Sequence, residues 1–181
     1  MWTLASELAL LLLVGLAALT DLAWRKIPNR LVLTGLVLAP LLQVWGGAAW
    51  PLEALAGALC GLLLFLPLYL ARGMAAGDVK LMAMVGAFSG PVVALQIGLA
   101  TLVLGGLMAL GIVVVKRNGR RTLANVVLLL RPMLLRLLGV PLVRVPLTPG
   151  TSVGGMPYGV AISAGTLLVS LWRHGWLAWL R

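Results

Sequence analysis

Long runs of apolar residues, separated by short polar loops, take up most of this 181-residue chain. Hydrophobic residues make up 62% of the sequence and charged residues only 10%, more apolar surface than one small water-soluble core can bury. Apolar runs of about 18 residues or more are typical of transmembrane helices, and these runs lack the alternation of barrel strands. The sequence therefore predicts an all-α integral membrane protein, with one membrane domain comprising residues 1–181.

Breaks in the apolar pattern divide this domain into about six predicted transmembrane helices. They cover approximately residues 4–20, 31–45, 52–70, 78–89, 92–115 and 157–172. The fourth run ends at Ser89-Gly90-Pro91 and would be only about 18 Å long as a helix, short of the ~30 Å hydrocarbon core. Either this helix continues past Pro91 or the bilayer is thin there.

Basic residues are distributed unevenly over the two sides that six alternating crossings would create. One side collects twelve of the fourteen lysines and arginines: Arg25, Lys26, Arg30, Arg72, Lys80, Lys116, Arg117, Arg120, Arg121, Arg131, Arg136 and Arg144. An excess of Lys and Arg near helix ends marks the cytoplasmic side, so both termini are predicted to lie outside. Topology thus explains the net charge of +10, and we expect no nucleic-acid partner.

Residues 116–155, between the fifth and sixth predicted helices, combine leucine-rich stretches with arginines and prolines. We expect this connector to form one or two amphipathic helices in the cytoplasmic interface. Arginines in such a position can reach anionic headgroups, so membrane lipids are predicted partners.

Two of the chain's four carboxylates, Asp21 and Asp78, stand where a predicted helix meets a basic loop, and the topology puts both on the cytoplasmic side. An ionisable residue in a membrane segment indicates a functional site. Two neighbouring carboxylates do not readily ionise together, so an ionised one can activate water while a protonated one polarises a carbonyl. Structural alternatives exist for each: Asp78 can cap a helix after Gly77, and Asp21 can pair with Arg25.

The residues around both aspartates resemble the two signature regions of the prepilin peptidases, the membrane aspartic peptidases with a G-x-G-D motif. The resemblance consists of the six-residue interval from Asp21 to Ile27-Pro28-Asn29, the run Gly77-Asp78-Val79-Lys80-Leu81, and a late Pro157-Tyr158-Gly159. Ala75 stands where the motif has its first glycine. If that position requires a positive φ, an alanine there would be strained.

This resemblance implies that Asp21 and Asp78 form the catalytic pair of a leader peptidase. The implied reaction is cleavage of type IV pilin-like precursors at the cytoplasmic face of the inner membrane, in type IV pilus assembly or protein secretion. Two further sets of residues follow from the same resemblance: a supporting loop set of Gly77, Ala75, Lys80, Ile27, Pro28 and Asn29, and a possible substrate-facing set of Pro157, Tyr158 and Gly159. The precursor is expected to dock through its own apolar segment.

Long members of that family carry a methyltransferase domain with paired cysteines, whereas this chain has a single cysteine, Cys60. It therefore resembles the short form. The one histidine, His174, lies at the outer end of the last predicted helix without an H-E-x-x-H partner set. We accordingly expect no metal and no cofactor, and we interpret His174 as an interfacial bystander.

Two other classes of protein remain as alternative interpretations. In a small transporter or channel subunit, Asp21 and Asp78 would relay protons or bind a cation. Transport sites usually lie near the bilayer midplane, whereas these aspartates are predicted at one boundary. The third interpretation is a noncatalytic assembly scaffold, in which one of the two aspartates would be replaceable.

Overall fold

The computed structural model describes residues 4–47, 52–70, 73–115 and 156–174, which form five helices and no strand. The helices are α1 (Leu4–Trp24), α2 (Asn29–Trp45), α3 (Leu52–Leu70), α4 (Ala76–Val115) and α5 (Tyr158–Arg173). Within this part of the chain, α1, α3 and the stretch Ala76–Ile112 of α4 are long and apolar enough to cross a membrane. The helical class is thus confirmed, with five helices where about six were predicted. The predicted connector, residues 116–155, lies outside the described residues.

The helix α4 is interrupted at Gly90, where the backbone has φ 74° and ψ 170°. Glycine adopts a positive φ without the steric cost of a Cβ, and Pro91 after it has no N–H to continue the helical ladder. The break coincides with the one predicted at residues 89–91. A Cβ added to Gly98 would lie 3.6 Å from Met82 Cε, although these residues would be ~24 Å apart along a straight helix. The chain therefore folds back at Gly90.

The first part of α4 is the central helix of the bundle, since residues 81–90 are all buried. It approaches α3 at glycines. A Cβ added to Gly57 would lie 2.0 Å from Gly86 O, and one added to Gly61 would lie 2.3 Å from Met82 O. Small residues at these positions let the two backbones pack directly against each other.

Polar contacts also join α1 to α5. Midway along the pair, Ser163 Oγ donates a hydrogen bond to Val14 O at 2.6 Å. Nearer the start of α1, Glu7 accepts a hydrogen bond from Ser170 and contacts His174. The contact of the His174 imidazole with this buried carboxylate was not predicted from the sequence.

Contacts divide the chain into two compact units. The first comprises Met1–Gly106 with Pro157–Arg181, and the second comprises Leu107–Met156. Both aspartates and the residues around them belong to the first unit. Of the second, the structure describes residues 107–115 at the end of α4 and residue 156. One domain over residues 1–181 stays a prediction.

Candidate active site

Asp78 lies in the first turn of α4 and is buried, with 5% of its surface exposed. Its backbone N–H donates to Ala75 O at 3.1 Å, and its Oδ2 accepts the N–H of Ala75 at 3.2 Å. An acidic side chain at the third helical position that reaches back to the first free N–H is half of a capping box. Asp78 thus stabilises the start of α4, although from inside the first turn and not from the cap position.

Ala75 precedes α4 at the position of the motif's first glycine. Among the described residues, the non-glycine residue with a positive φ is Arg25, at 53°. The backbone of Ala75 is therefore outside the left-handed region, and the strain expected for alanine there does not arise. A side chain at residue 75 is compatible with the turn that presents Asp78.

Asp21 lies in the last turn of α1 and is also buried, at 7% exposure. Its Oδ2 accepts the backbone N–H of Gly159, at the start of α5, at 2.8 Å. A Cβ added to Gly159 would lie 2.9 Å from that oxygen, so the close approach requires a residue without a side chain. The helix α1 ends at Trp24. The backbone of the next residue, Arg25, is in the left-handed region, and its N–H donates to Asp21 O at 2.9 Å, which closes the end of the helix.

The two carboxylates lie at the same end of the bundle, since Ile27, in the loop after Asp21, packs against Gly77, the residue before Asp78. Asp21 comes from the end of α1 and Asp78 from the start of α4. Tyr158, the residue before Gly159, is half-buried at the start of α5. The structure therefore gathers Asp21, Asp78, Tyr158 and Gly159 around one locus.

The supporting loop set lies beside this locus. A Cβ added to Gly77 would lie 3.4 Å from Ile27 Cβ, so the loop after α1 packs over the first turn of α4. Lys80 Nζ donates to Asn29 Oδ1 at 3.2 Å, which ties the start of α2 to α4. Pro28, with φ −63° and ψ 127°, is the cap residue of α2. These contacts fix the loop between α1 and α2 against the turn that carries Asp78.

The residues predicted to face the substrate lie at the start of α5: Pro157, Tyr158 and Gly159. Pro157 is the buried cap residue of that helix, and its carbonyl accepts the N–H of Val160 at 3.2 Å. Sequence reasoning assigned Gly159 to the substrate side, whereas its N–H is bound to Asp21. The predicted topology could have indicated this contact, because it put the start of the last helix on the same side of the membrane as both aspartates.

Within residues 4–47, 52–70, 73–115 and 156–174, no group of three or more His, Cys, Asp and Glu side chains is arranged to hold a metal ion. Among the residues that the structure describes, the titratable side chains at the locus are those of Asp21, Asp78 and Tyr158. The two carboxylates can carry out acid and base chemistry, in which one accepts a proton while the other donates one.

The fold and the locus together define a helical, membrane-span-capable protein with a buried pair of carboxylates at one end of its bundle. Comparison with family models sharpens this class. The model of the type IV leader peptidase family matches residues 8–110, which is more than half of the chain and includes both aspartates. The chain belongs to the type IV leader peptidase family. It is accordingly a peptidase with a protein substrate, and the resemblance seen in the sequence is confirmed.

No match was found among curated proteins, and none was found among solved structures. Tyr158 and Gly159 lie beyond the residues that the family model matches. Gly159 is linked to the aspartates by its hydrogen bond to Asp21, and Tyr158 is the residue before it.

Proposed function

We propose that the protein is an aspartic endopeptidase that removes the leader peptide from type IV pilin-like precursors at the cytoplasmic face of the inner membrane. The observation that carries this proposal is the pair of buried carboxylates, Asp21 and Asp78, at one end of the bundle. Family membership supplies the reaction class, and the pair supplies the groups that hydrolysis of a peptide bond needs.

In the proposed reaction, the ionised carboxylate accepts a proton from a water molecule as the water oxygen bonds to the scissile carbonyl carbon. The protonated carboxyl group donates a hydrogen bond to the carbonyl oxygen and stabilises the charge that develops there. The C–N bond then breaks, and the leaving amine takes up a proton from the carboxyl pair. The Gly159 N–H holds Asp21 in place during these steps.

The proposed topology has six crossings with both termini outside and the aspartates on the cytoplasmic side. Its support is the reversal of α4 at Gly90, which turns one long helical stretch into two antiparallel arms. The stretch Ala76–Ile112 would otherwise be ~55 Å long, far more than the ~30 Å core requires. The loop that follows Asp21 carries Arg25, Lys26 and Arg30, as cytoplasmic loops usually do.

The proposed substrate is itself anchored in the membrane by an apolar segment. A segment that lies beside the bundle brings the attached leader to the boundary where Asp21 and Asp78 lie. Holding the scissile bond next to the pair replaces a bimolecular encounter with an oriented one, which lowers the barrier to hydrolysis. A soluble peptide with the same cleavage sequence should therefore be a much poorer substrate.

Cleavage of a purified pilin-type precursor by the reconstituted protein, followed by mass, tests the proposal. The wild type should release a single leader, and Asp21→Asn and Asp78→Asn should release no detectable leader in the time that the wild type needs to cleave all of the precursor. Glu53→Gln is the matched control, because Glu53 is an exposed carboxylate at the start of α3. No cleavage by the wild type, or normal cleavage by either Asn variant, would contradict the proposal.

A further inference from the structure

A second polar cluster joins α1 to α5 at the end of the helix pair opposite the aspartates. Glu7, in the first turn of α1, is 8% exposed. One carboxylate oxygen accepts the hydroxyl of Ser170, and the other lies 2.5 Å from His174 Nε2. His174 ends α5, and about half of its side chain is exposed. Both oxygens of a buried acid are thus engaged by one partner helix.

The same two helices carry the active-site contact at their other end. Glu7 and Asp21 are ~21 Å apart along α1, and Gly159 and Ser170 are ~16 Å apart along α5. Between them α1 buries apolar side chains: Leu10, Leu13, Val14 and Ala17. The helix pair is therefore tied by directional polar contacts at both ends, with an apolar seam and the Ser163 hydrogen bond between them.

An apolar seam alone holds two helices together but allows small shifts along or around their axes. Burying a carboxylate costs free energy of desolvation, and apolar residues of similar volume often stabilise a helix contact as well. What the carboxylate adds is direction: each oxygen meets one donor at one position. The cluster of Glu7, Ser170 and His174 therefore selects one register of α1 on α5.

We propose that Glu7, Ser170 and His174 are positioning residues that fix the register of α1 on α5 and thereby hold Asp21 against the Gly159 N–H. The inference rests on the proposed peptidase function, because its consequence is a faster hydrolytic step. A shift of ~1 Å at a reacting group can cost up to about 10²-fold in rate. The cluster itself lies far from the scissile bond and touches no reacting atom.

Kinetics of Glu7→Gln and Ser170→Ala separate this role from substrate binding. Each variant should lower kcat about tenfold and leave KM within about twofold, because the docking surface is untouched. The double variant should be slower than either single one, because Glu7→Gln removes the charge that faces His174 while Ser170→Ala removes the hydroxyl donor at the other oxygen. The exchange variant, Glu7→His with His174→Glu, should have a higher kcat than Glu7→Gln, because it places the same two side chains opposite each other in reverse. Glu53→Gln serves as the control for loss of a carboxylate elsewhere.

A distance measurement without substrate keeps this inference separate from the peptidase proposal. Spin labels are placed on the exposed positions Leu19 of α1 and Ala164 of α5, in a Cys60→Ala background. The distance distribution should be narrow with Glu7 present and should broaden or shift in Glu7→Gln and Ser170→Ala.

If the wild type cleaves no precursor, the proposed function fails while a broadened distribution still supports the register role. Unchanged distributions in both variants would overturn the positioning proposal, whatever happens to the rate. So would an unchanged kcat in both variants of an active enzyme.

Discussion

The two aspartates are held by backbone N–H groups of different origin. Asp78 accepts its hydrogen bond from Ala75 in its own turn, so its position follows from the local start of α4. Asp21 accepts its hydrogen bond from Gly159, at the start of a different helix. The position of Asp21 therefore depends on how α5 packs, and changes elsewhere in the bundle should affect Asp21 first.

Gly159→Ala should reduce the catalytic rate about 10- to 100-fold. The added Cβ would meet Asp21 at 2.9 Å from Oδ2 and 3.0 Å from its Cβ, so either the carboxylate or α5 must move. The measurement is kcat on a precursor, alongside thermal unfolding. Gly15→Ala on α1 is the control, because a Cβ there meets nothing within 4 Å. A Gly159→Ala variant with the rate of Gly15→Ala would show that the contact does not matter.

The positions of Asp21 and Asp78 at helix boundaries predicted them as candidate site residues, and the resemblance to the prepilin peptidases implied the loop set around them. The interval from Asp21 to Ile27-Pro28-Asn29 and the run around Asp78 lie within short stretches of sequence. The bond from Gly159 to Asp21 could not be predicted in the same way, because it depends on the packing of helices at opposite ends of the chain. The pairing of His174 with Glu7 was missed for the same reason.

At the scale of helices, the fold depends on glycines where α3 crosses the first arm of α4. Gly57→Ala should lower the free energy of unfolding by about 1–3 kcal/mol, the usual cost of overpacking, because its Cβ would lie 2.0 Å from Gly86 O. Backbone atoms cannot move aside as a flexible side chain can. Gly106→Ala on α4 is the control, with nothing within 4 Å of its Cβ. Thermal unfolding in detergent makes the comparison, and equal stabilities would contradict the packing described here.

The break in α4 was predictable, since a Gly-Pro pair interrupts any helical ladder. Its geometry was not, because a short fourth helix and a continuous one fit the apolar pattern equally well. The proximity of Gly98 to Met82, whose Cε would lie 3.6 Å from an added Gly98 Cβ, resolves this choice: the helical ladder is interrupted at Gly90 and the chain returns along the first part of α4. Apolar composition identifies membrane helices well, but it carries little information about which faces of them meet.

For the molecule as a whole, the proposed orientation makes a prediction about accessibility. In a Cys60→Ala background, Lys26→Cys lies in the loop after α1 and Gly46→Cys in the turn after α2. A membrane-impermeant thiol reagent applied to intact cells should label position 46, and it should label position 26 only after permeabilisation. The reverse pattern would place both aspartates on the outer side.

The central claim is that Asp21 and Asp78 act as one catalytic unit. Single-turnover cleavage by Asp21→Asn, Asp78→Asn and the double variant, with precursor binding measured in parallel, tests it most directly. Each single variant should be about 10²- to 10⁴-fold slower than wild type, the double variant should be no slower than either, and binding should stay within about twofold. A single variant that retains most of the wild-type rate, or losses that multiply in the double variant, would contradict the account.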